Sequence, residues 1–358
     1  MDIGVPKEAK VMEGRVGLIP EACKELLSNG HKIFIETSAG ELSGYSDEDY
    51  IKAGCIIVDN AEALYGQSKL IVKVKEPVTQ DLQFIQSHHI IFSFLHLAAN
   101  KQLVDQLCEI GCQAIAFESV VNAKGKRFIL SPMSQIAGKL SVQIGAHLLH
   151  QPMGGSGLML GGIEGTERGE VVVLGAGVAG KEAALLADKL GANVTVFDID
   201  MAKLEHIRHL AGNIKVEKAE LSAIEPALKK ADLVVGAVLL PDKHTPRVVT
   251  EEMVINMKKG AVIVDIAIDQ GGCVETIRPT NYASPTFIAH DVIHFGVTNM
   301  PGAVPRTASQ ALSAVILSPV SEIASMNTAV VESIKNAINI ESGKIIHPVL
   351  IEEFKSAK

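Results

Sequence analysis

Two sets of residues in this chain have the types and spacing to do chemistry. The first is GAGVAG, with Gly175, Gly177 and Gly180 at the positions of a G-x-G-x-x-G turn, and Asp198 18 residues beyond Gly180. Alone, the glycines carry little weight. Here they follow the apolar run VVVL, open a helical pattern and precede an acid at the end of the next strand, which is the setting a dinucleotide turn requires. Gly175 permits the tight turn, Gly177 presents no side chain to a pyrophosphate, and Gly180 lets the helix pack close to its strand. The helix amino terminus adds free N–H groups and the positive end of its dipole. Asp198 can accept hydrogen bonds from ribose hydroxyls but opposes a 2′-phosphate with like charge, so NAD is expected over NADP.

The second set is Arg15, Lys75, His96 and Asp269. Taken singly, a loop Arg or Lys is ordinarily a solvated charge, and a strand-end His is ordinarily a hydrogen-bonded structural residue. What joins these four is placement at the carboxyl ends of strands, where open α/β sheets bind ligands. Arg15 lies in the loop after DIGVPK, Lys75 ends KLIVKVK, His96 ends HIIFSFLH and Asp269 ends AVIVDIAID. The first three are expected on one edge of one sheet, with Asp269 facing the same cleft from the cofactor side. Arg and Lys suit a carboxylate substrate, and His suits proton transfer near neutral pH. Lys73, two residues before Lys75 in the same run, is read as structural.

The elements that must position these residues alternate along the chain. Strands DIGVPK, HKIFIE, CIIV, KLIVKV, HIIFSFL and CQAIAFESV are interleaved with helical patterns such as PEACKELLSNG, EDYIKAG and KQLVDQLCEIG, which implies βαβ units and a parallel sheet. Residues 134–150 read as an amphipathic helix, and the Gly-rich MGGSGLMLGGIEG reads as a connector between domains. A second alternation runs from VVVL through NVTVFDI, ADLVVGAV and AVIVDIAI to VIHFGVTN. Beyond Pro301 and Pro305 the chain turns helical, TASQALSAVILSPVSEIASM, and ends in a further amphipathic stretch, VESIKNAINI, both expected to return to the first domain. The fold class expected is α/β, with two doubly wound Rossmann-like domains, parallel sheets and a cleft between them. Residues 1–130 with 305–358 form a discontinuous catalytic domain, and residues 131–304 form the dinucleotide domain.

Bulk properties bound the answer further. At roughly 150 residues per domain, 358 residues favour two domains. With 47% hydrophobic and 21% charged residues, no Trp and few other aromatics, the core must rest on Val, Ile, Leu and Ala, which suits buried parallel strands. A net charge of −8 argues against a nucleic-acid partner. No apolar run approaches the ~18 residues of a membrane span, and no signal-peptide pattern opens the chain. Cys23, Cys55, Cys108, Cys112 and Cys273 make no CxxC pair and have no His cluster at zinc spacing, so no metal site is expected. Cys108 and Cys112 are read as small buried side chains, and a reduced, cytoplasmic location fits the set.

At this level of detail the chain resembles the L-alanine dehydrogenases. The matching segments are GVPKE, EGRVGLIP, SGYSDEDYIKAG, VKVKEP, FLHLAA, SPMSQIAG, GAGVAG with FDID, ADLVVGAVL, DIAIDQGG and TNMPGAVPRT, in order over almost the whole length. The resemblance implies NAD-dependent oxidative deamination of L-alanine to pyruvate and ammonia, reversibly, by a homo-oligomer, typically a hexamer. It implies Arg15 and Lys75 as substrate contacts and His96 and Asp269 as the catalytic pair. It also implies cofactor contacts at Ser134, Val178, Asp198, Lys203, Val238, Leu239, Ile266, Arg278, Val297, Asn299 and Met300. Departures are Asp242 where the family often has glycine, Ala219 where some members have a cofactor-contacting serine, and a helix TASQALSAVILSPV without the family's usual Thr-Asn and Pro-Tyr. They bear on assembly and cofactor affinity, not on the four central residues.

The nearest rival is the related nucleotide-binding subunit of proton-translocating transhydrogenase. In that group the lysine of VKVKEP and the aspartate of DIAIDQGG are typically replaced, and here both are kept. A saccharopine dehydrogenase-like role fits less well. A non-catalytic NAD(H)-binding protein is the rival from another class, and loss of Lys75, His96 or Asp269 would have been its mark.

Overall fold

A computed structural model describes residues 1–238, 245–325 and 332–355. The chain divides into two compact units, Met1–Met133 with Gly302–Lys358, and Ser134–Pro301. The helix Leu130–Leu148 carries the chain out of the first unit, and the helix Pro305–Ser325 follows its return.

The first unit is built on strands β1 (Asp2–Val5), β2 (Lys32–Glu36), β3 (Ile56–Val58), β4 (Leu70–Val72), β5 (Ile90–Ser93) and β6 (Gln113–Ala116), all mutually parallel. The second contains β7 (Glu170–Leu174), β8 (Asn193–Asp198), β9 (Lys215–Lys218), β10 (Leu233–Gly236), β11 (Val262–Asp265), β12 (Thr286–Ala289) and β13 (Val292–Phe295). The last two strands, β14 (Ile338–Glu341) and β15 (Lys344–Ile345), rejoin the first sheet. The orders are β15-β14-β6-β5-β4-β1-β2-β3 and β12-β13-β11-β10-β7-β8-β9. Both sheets are mostly parallel, as the alternation implies, but each ends in antiparallel strands, so they are mixed.

Central strands such as LIV, VVVL and VIVD are buried on both faces, which is why they read as unbroken apolar runs. Each sheet reverses direction beside its first strand. β1 lies between β4 and β2, and β7 lies between β10 and β8, so each has a crevice at the carboxyl ends of the central pair.

The structure departs from the sequence expectation at four places. VESIKNAINI is not one helix: Glu332–Lys335 makes a single turn and Ile338–Glu341 a strand against β6. Its Ile-x-Ile alternation fits a strand, and Ser342 (φ 48°) and Gly343 (φ 76°) supply the tight hairpin to β15. AVIVDIAI is a strand only to Asp265. There the Asp265 carboxylate accepts from the Ala267 N–H at 2.9 Å, and Ile266–Gln270 winds into a 3₁₀ turn, so Asp269 sits in that turn and not on the strand. The Gly-rich segment 153–165 belongs to the second unit instead of bridging domains. Its glycines let it lie flush: a Cβ on Gly161 would stand 2.0 Å from the Leu190 carbonyl oxygen. Cys112 is buried, but Cys108 is only half-buried.

Candidate functional site

In the second unit, β7 passes into the helix Val178–Lys189 through three residues, Gly175, Ala176 and Gly177. Gly175 adopts φ 104°, and a Cβ there would strike the Ala237 carbonyl oxygen at 2.5 Å, with the Val238 nitrogen at 3.1 Å. A Cβ on Gly180 would stand 1.8 Å from the Gly175 carbonyl oxygen. Gly177 differs: a Cβ there meets nothing within 4 Å. It is also the N-cap of the helix and has no side chain to occupy the free N–H groups. Two glycines are thus required by packing, while the third faces open space before a helix amino terminus. These residues fit a dinucleotide.

Asp198 is tied to this turn. Its Oδ2 accepts from the Ala176 N–H at 2.6 Å and its Oδ1 from the Asp200 N–H at 2.8 Å. Asp200 in turn caps the helix Met201–Leu210, accepting from the Ala202 and Lys203 N–H groups. Val178 is exposed at the start of its helix, Lys203 is exposed, and Val238 and Ile266 follow β10 and β11. Arg278 is exposed and lies 4.4 Å over the Phe287 ring. Val297 and Met300 are buried, so they offer a ligand backbone atoms and not side chains. Ser134 is half-buried on the helix Leu130–Leu148. Leu239 and Asp242 lie outside the described residues. Asp269 is exposed, and its carboxylate accepts from the Asn299 N–H at 3.2 Å; Asn299 has φ 61°. The structure therefore joins Asp269 to Asn299, and Asp198 and Val238 to the glycine turn.

In the first unit, Arg15, Lys75 and His96 follow β1, β4 and β5, three neighbouring strands, and so share one sheet edge. Arg15 is not a solvated loop charge. It is 2% exposed, and Glu13 grips it with Nε–Oε1 at 2.7 Å and Nη2–Oε2 at 2.6 Å. Its Nη1 faces the Met133 sulfur at 3.4 Å. Two buried serines one helical turn apart hold the loop around it: Ser309 and Ser313 accept from the Val16 and Ile19 N–H groups at 2.9 and 3.1 Å. The chain's return helix thus fixes the loop that carries Arg15.

Lys75 is half-buried, with Nζ 3.9 Å from Glu76 Oε2, while Lys10 bonds the other Glu76 oxygen at 2.7 Å. Burial works against the Glu76 charge, but the two lysines outweigh it and hold this carboxyl below its ordinary range. Lys73 is buried, paired with Asp81 at 3.1 Å and Glu8 at 3.5 Å. Burial alone would lower its pKa, yet these acids raise it. Glu8 itself is pushed up by burial, and it accepts from the Val74 N–H at 2.6 Å, next to Lys75. His96 is exposed, has left-handed backbone (φ 47°, ψ 39°), and stacks on Phe94 with ring centroids 6.0 Å apart.

Not read from the sequence were the acids that fix the loops carrying the candidate residues: Glu13 at Arg15, Glu8 at Val74 next to Lys75, Glu118 at His96, and Asp265 at the turn that carries Asp269. Glu13 stands two residues before Arg15 in the same motif. Glu118 follows β6 and was open to the strand-end argument that found the others. No helix among the described residues is long and apolar enough to cross a membrane.

Two open, mostly parallel sheets, one with a glycine turn before a helix and the other with cationic and imidazole side chains along one edge, define a two-unit Rossmann-like protein. The chain belongs to the alanine dehydrogenase/PNT family, matching its N-terminal domain over residues 4–137 and its C-terminal domain over residues 141–348. It is 45% identical to an alanine dehydrogenase of Mycolicibacterium smegmatis over 87% of this chain and 85% of that one. A solved L-alanine dehydrogenase superposes over all of both chains with TM-score 0.96 and 42% identity. A transhydrogenase from Sinorhizobium meliloti covers 97% of this chain and 99% of its own with TM-score 0.86 and 25% identity.

Proposed function

We propose that this chain is an NAD-dependent L-alanine dehydrogenase, converting L-alanine, NAD and water reversibly into pyruvate, ammonium, NADH and a proton. The observation that carries the reading is the full-length likeness to a solved L-alanine dehydrogenase; the charged sheet edge of this chain is in keeping with it. Retention of Lys75 and Asp269 favours it over the transhydrogenase reading. A cytoplasmic homo-oligomer, in keeping with the family resemblance, is part of the same proposal.

The glycine turn and Asp198 hold the dinucleotide, with Asp198 opposing a 2′-phosphate. The bound nicotinamide supplies the hydride acceptor. Arg15, its guanidinium fixed by Glu13, and Lys75 hold the substrate carboxylate. His96 takes a proton from water as it adds to the substrate imine, and returns it as ammonia leaves. Asp269, steadied by the Asn299 N–H, stabilises the cationic imine. Hydride loss requires a neutral amine, so deamination should quicken as pH rises.

The test is NADH formation with L-alanine, D-alanine and glycine, each with NAD and with NADP, across pH. Rapid turnover of L-alanine with NAD, rising in alkali, is the expected result. NADH binding without turnover of any amino acid would move the chain to a transhydrogenase-like or non-catalytic role.

A further inference from the structure

His96 occupies a left-handed backbone conformation that is uncommon for residues other than glycine, and what surrounds it accounts for its persistence. The Glu118 carboxylate accepts from the His96 N–H at 2.6 Å and from the Leu95 N–H at 3.2 and 3.3 Å through its two oxygens. Two successive backbone N–H groups directed at one carboxylate form a small anion-binding concavity, here filled by the protein itself. Glu118 is placed to fill it because it follows β6, which pairs with β5 up to Ser93 and Ala116. The imidazole's other constraint is apolar: its ring lies 8° from parallel to Phe94, whose own N–H donates to the Val74 carbonyl at 3.1 Å. The turn has no glycine to make this conformation easy and no side-chain cap of its own on the 3₁₀ turn Leu97–Ala99 that follows.

We propose that Glu118 is the positioning residue for His96, acting through the backbone: its oxygens hold the Leu95–His96 turn in the left-handed conformation that presents the imidazole from Phe94. The inference rests on the role given to His96 above. It makes Glu118 necessary for turnover but not for holding the substrate carboxylate or the dinucleotide.

The experiment is steady-state kinetics on the full chain for Glu118→Ala, Glu118→Gln, His96→Ala and the double variant E118A/H96A, with NADH binding followed by fluorescence. E118A should lower kcat on the order of 100-fold, the scale of loss for a misplaced reacting group. The KM for L-alanine and the affinity for NADH should stay within about threefold. E118Q keeps an acceptor oxygen in place and should recover to within about fivefold of the unaltered enzyme. In the double variant E118A should cost nothing beyond H96A, because residues acting as one unit are not additive. Should E118A fail to fold, Glu118→Asp, which draws the carboxylate back by one methylene, must show the same loss in kcat. A full-rate E118A, an E118Q as slow as E118A, or an E118A loss that persists undiminished on top of H96A each overturns the proposal. H96A at full rate removes the imidazole from the reaction and takes down both readings. A slow H96A with a fast E118A overturns only the clamp.

Discussion

The two units share one construction and use it differently. In each, the first strand lies beside the point where strand order reverses, and the candidate residues gather at the carboxyl ends there. β7 reaches its helix through three residues, 175–177, whereas 14 residues, 6–19, separate β1 from the helix Pro20–Ser28. The short turn has space only for backbone, so it offers N–H groups and a helix terminus, which suit phosphates. The long loop has space for side chains, so it offers a guanidinium already oriented by Glu13, which suits a carboxylate. Topology places a site, and the length and composition of the first turn decide what chemistry it presents.

The severest way to break the comparison is Gly180→Ala. The added Cβ would stand 1.8 Å from a backbone oxygen and 2.9 Å from its carbon, and backbone cannot step aside as a flexible side chain can. The turn that makes the second unit a backbone site should be lost, with NADH affinity falling more than about 100-fold and reduced thermal stability, read by calorimetry and fluorescence titration. Retained affinity would mean that the close helix–strand contact is dispensable.

The matching disruption in the first unit is Glu13→Gln. Both side chains of the Glu13–Arg15 pair are almost fully buried, at 1% and 2%. Removing one partner of a buried ion pair costs about 3–5 kcal/mol in such settings. Urea unfolding should register that loss, and the KM for L-alanine should rise because the guanidinium is no longer gripped. An unchanged unfolding midpoint would show that Arg15 is held by its other contacts and that Glu13 is not what sets it.

This contrast also marks how far the residues could be read before folding. Gly175, Gly180 and Asp198 were legible because a turn leaves a local signature of strand, glycines, helix and acid within 30 residues. Arg15, Lys75 and His96 were legible as strand-end residues because β1, β4 and β5 are apolar runs with clear ends. Glu118 could be placed at a strand end in the same way, but its contact with His96 could not be read, since it spans 22 residues and depends on β6 lying beside β5. Ser309 and Ser313 were still less so: their bonds to Val16 and Ile19 span 293 and 294 residues, and a serine within an apolar helix gives no sign of its partner. The β14 strand was missed because Ile334, Ala337 and Ile338 carry a helical spacing that runs into the Ile338-Asn339-Ile340 alternation.

Asp265 offers a test of intermediate size. Burial pushes this carboxyl up to about 6 from 3.8, although the N–H groups of Cys273, Val274 and Ala267 and the Cys273 thiol pull the other way. Its folded pKa exceeds its unfolded one, so the folded protein binds more protons between those values. The contribution is therefore most favourable below about pH 3.8 and is lost as pH rises to about 6, beyond which it is constant. A shift of about two units corresponds to roughly 3 kcal/mol. In Asp265→Asn, unfolding free energy should lose that much of its fall between pH 4 and 6 (roughly the interval the shift spans). Parallel pH profiles for the two proteins would show that the ionisation of Asp265 is not coupled to folding.

The smallest effect sharpens the comparison most. Gly177→Ala adds a Cβ that meets no atom within 4 Å, at a position whose φ of −66° any residue can adopt. Stability should not fall, and the thermal midpoint should stay where it is. If the second unit presents backbone to a pyrophosphate at this turn, the methyl occupies the space the phosphate needs, and NADH affinity should drop about tenfold or more while L-alanine KM at saturating cofactor is preserved. The outcome separates packing from recognition within a single motif: Gly180 is glycine for the sake of the fold, and Gly177 for the sake of what the fold binds. Equal NADH affinity in G177A would place the pyrophosphate elsewhere and leave the turn a purely structural device.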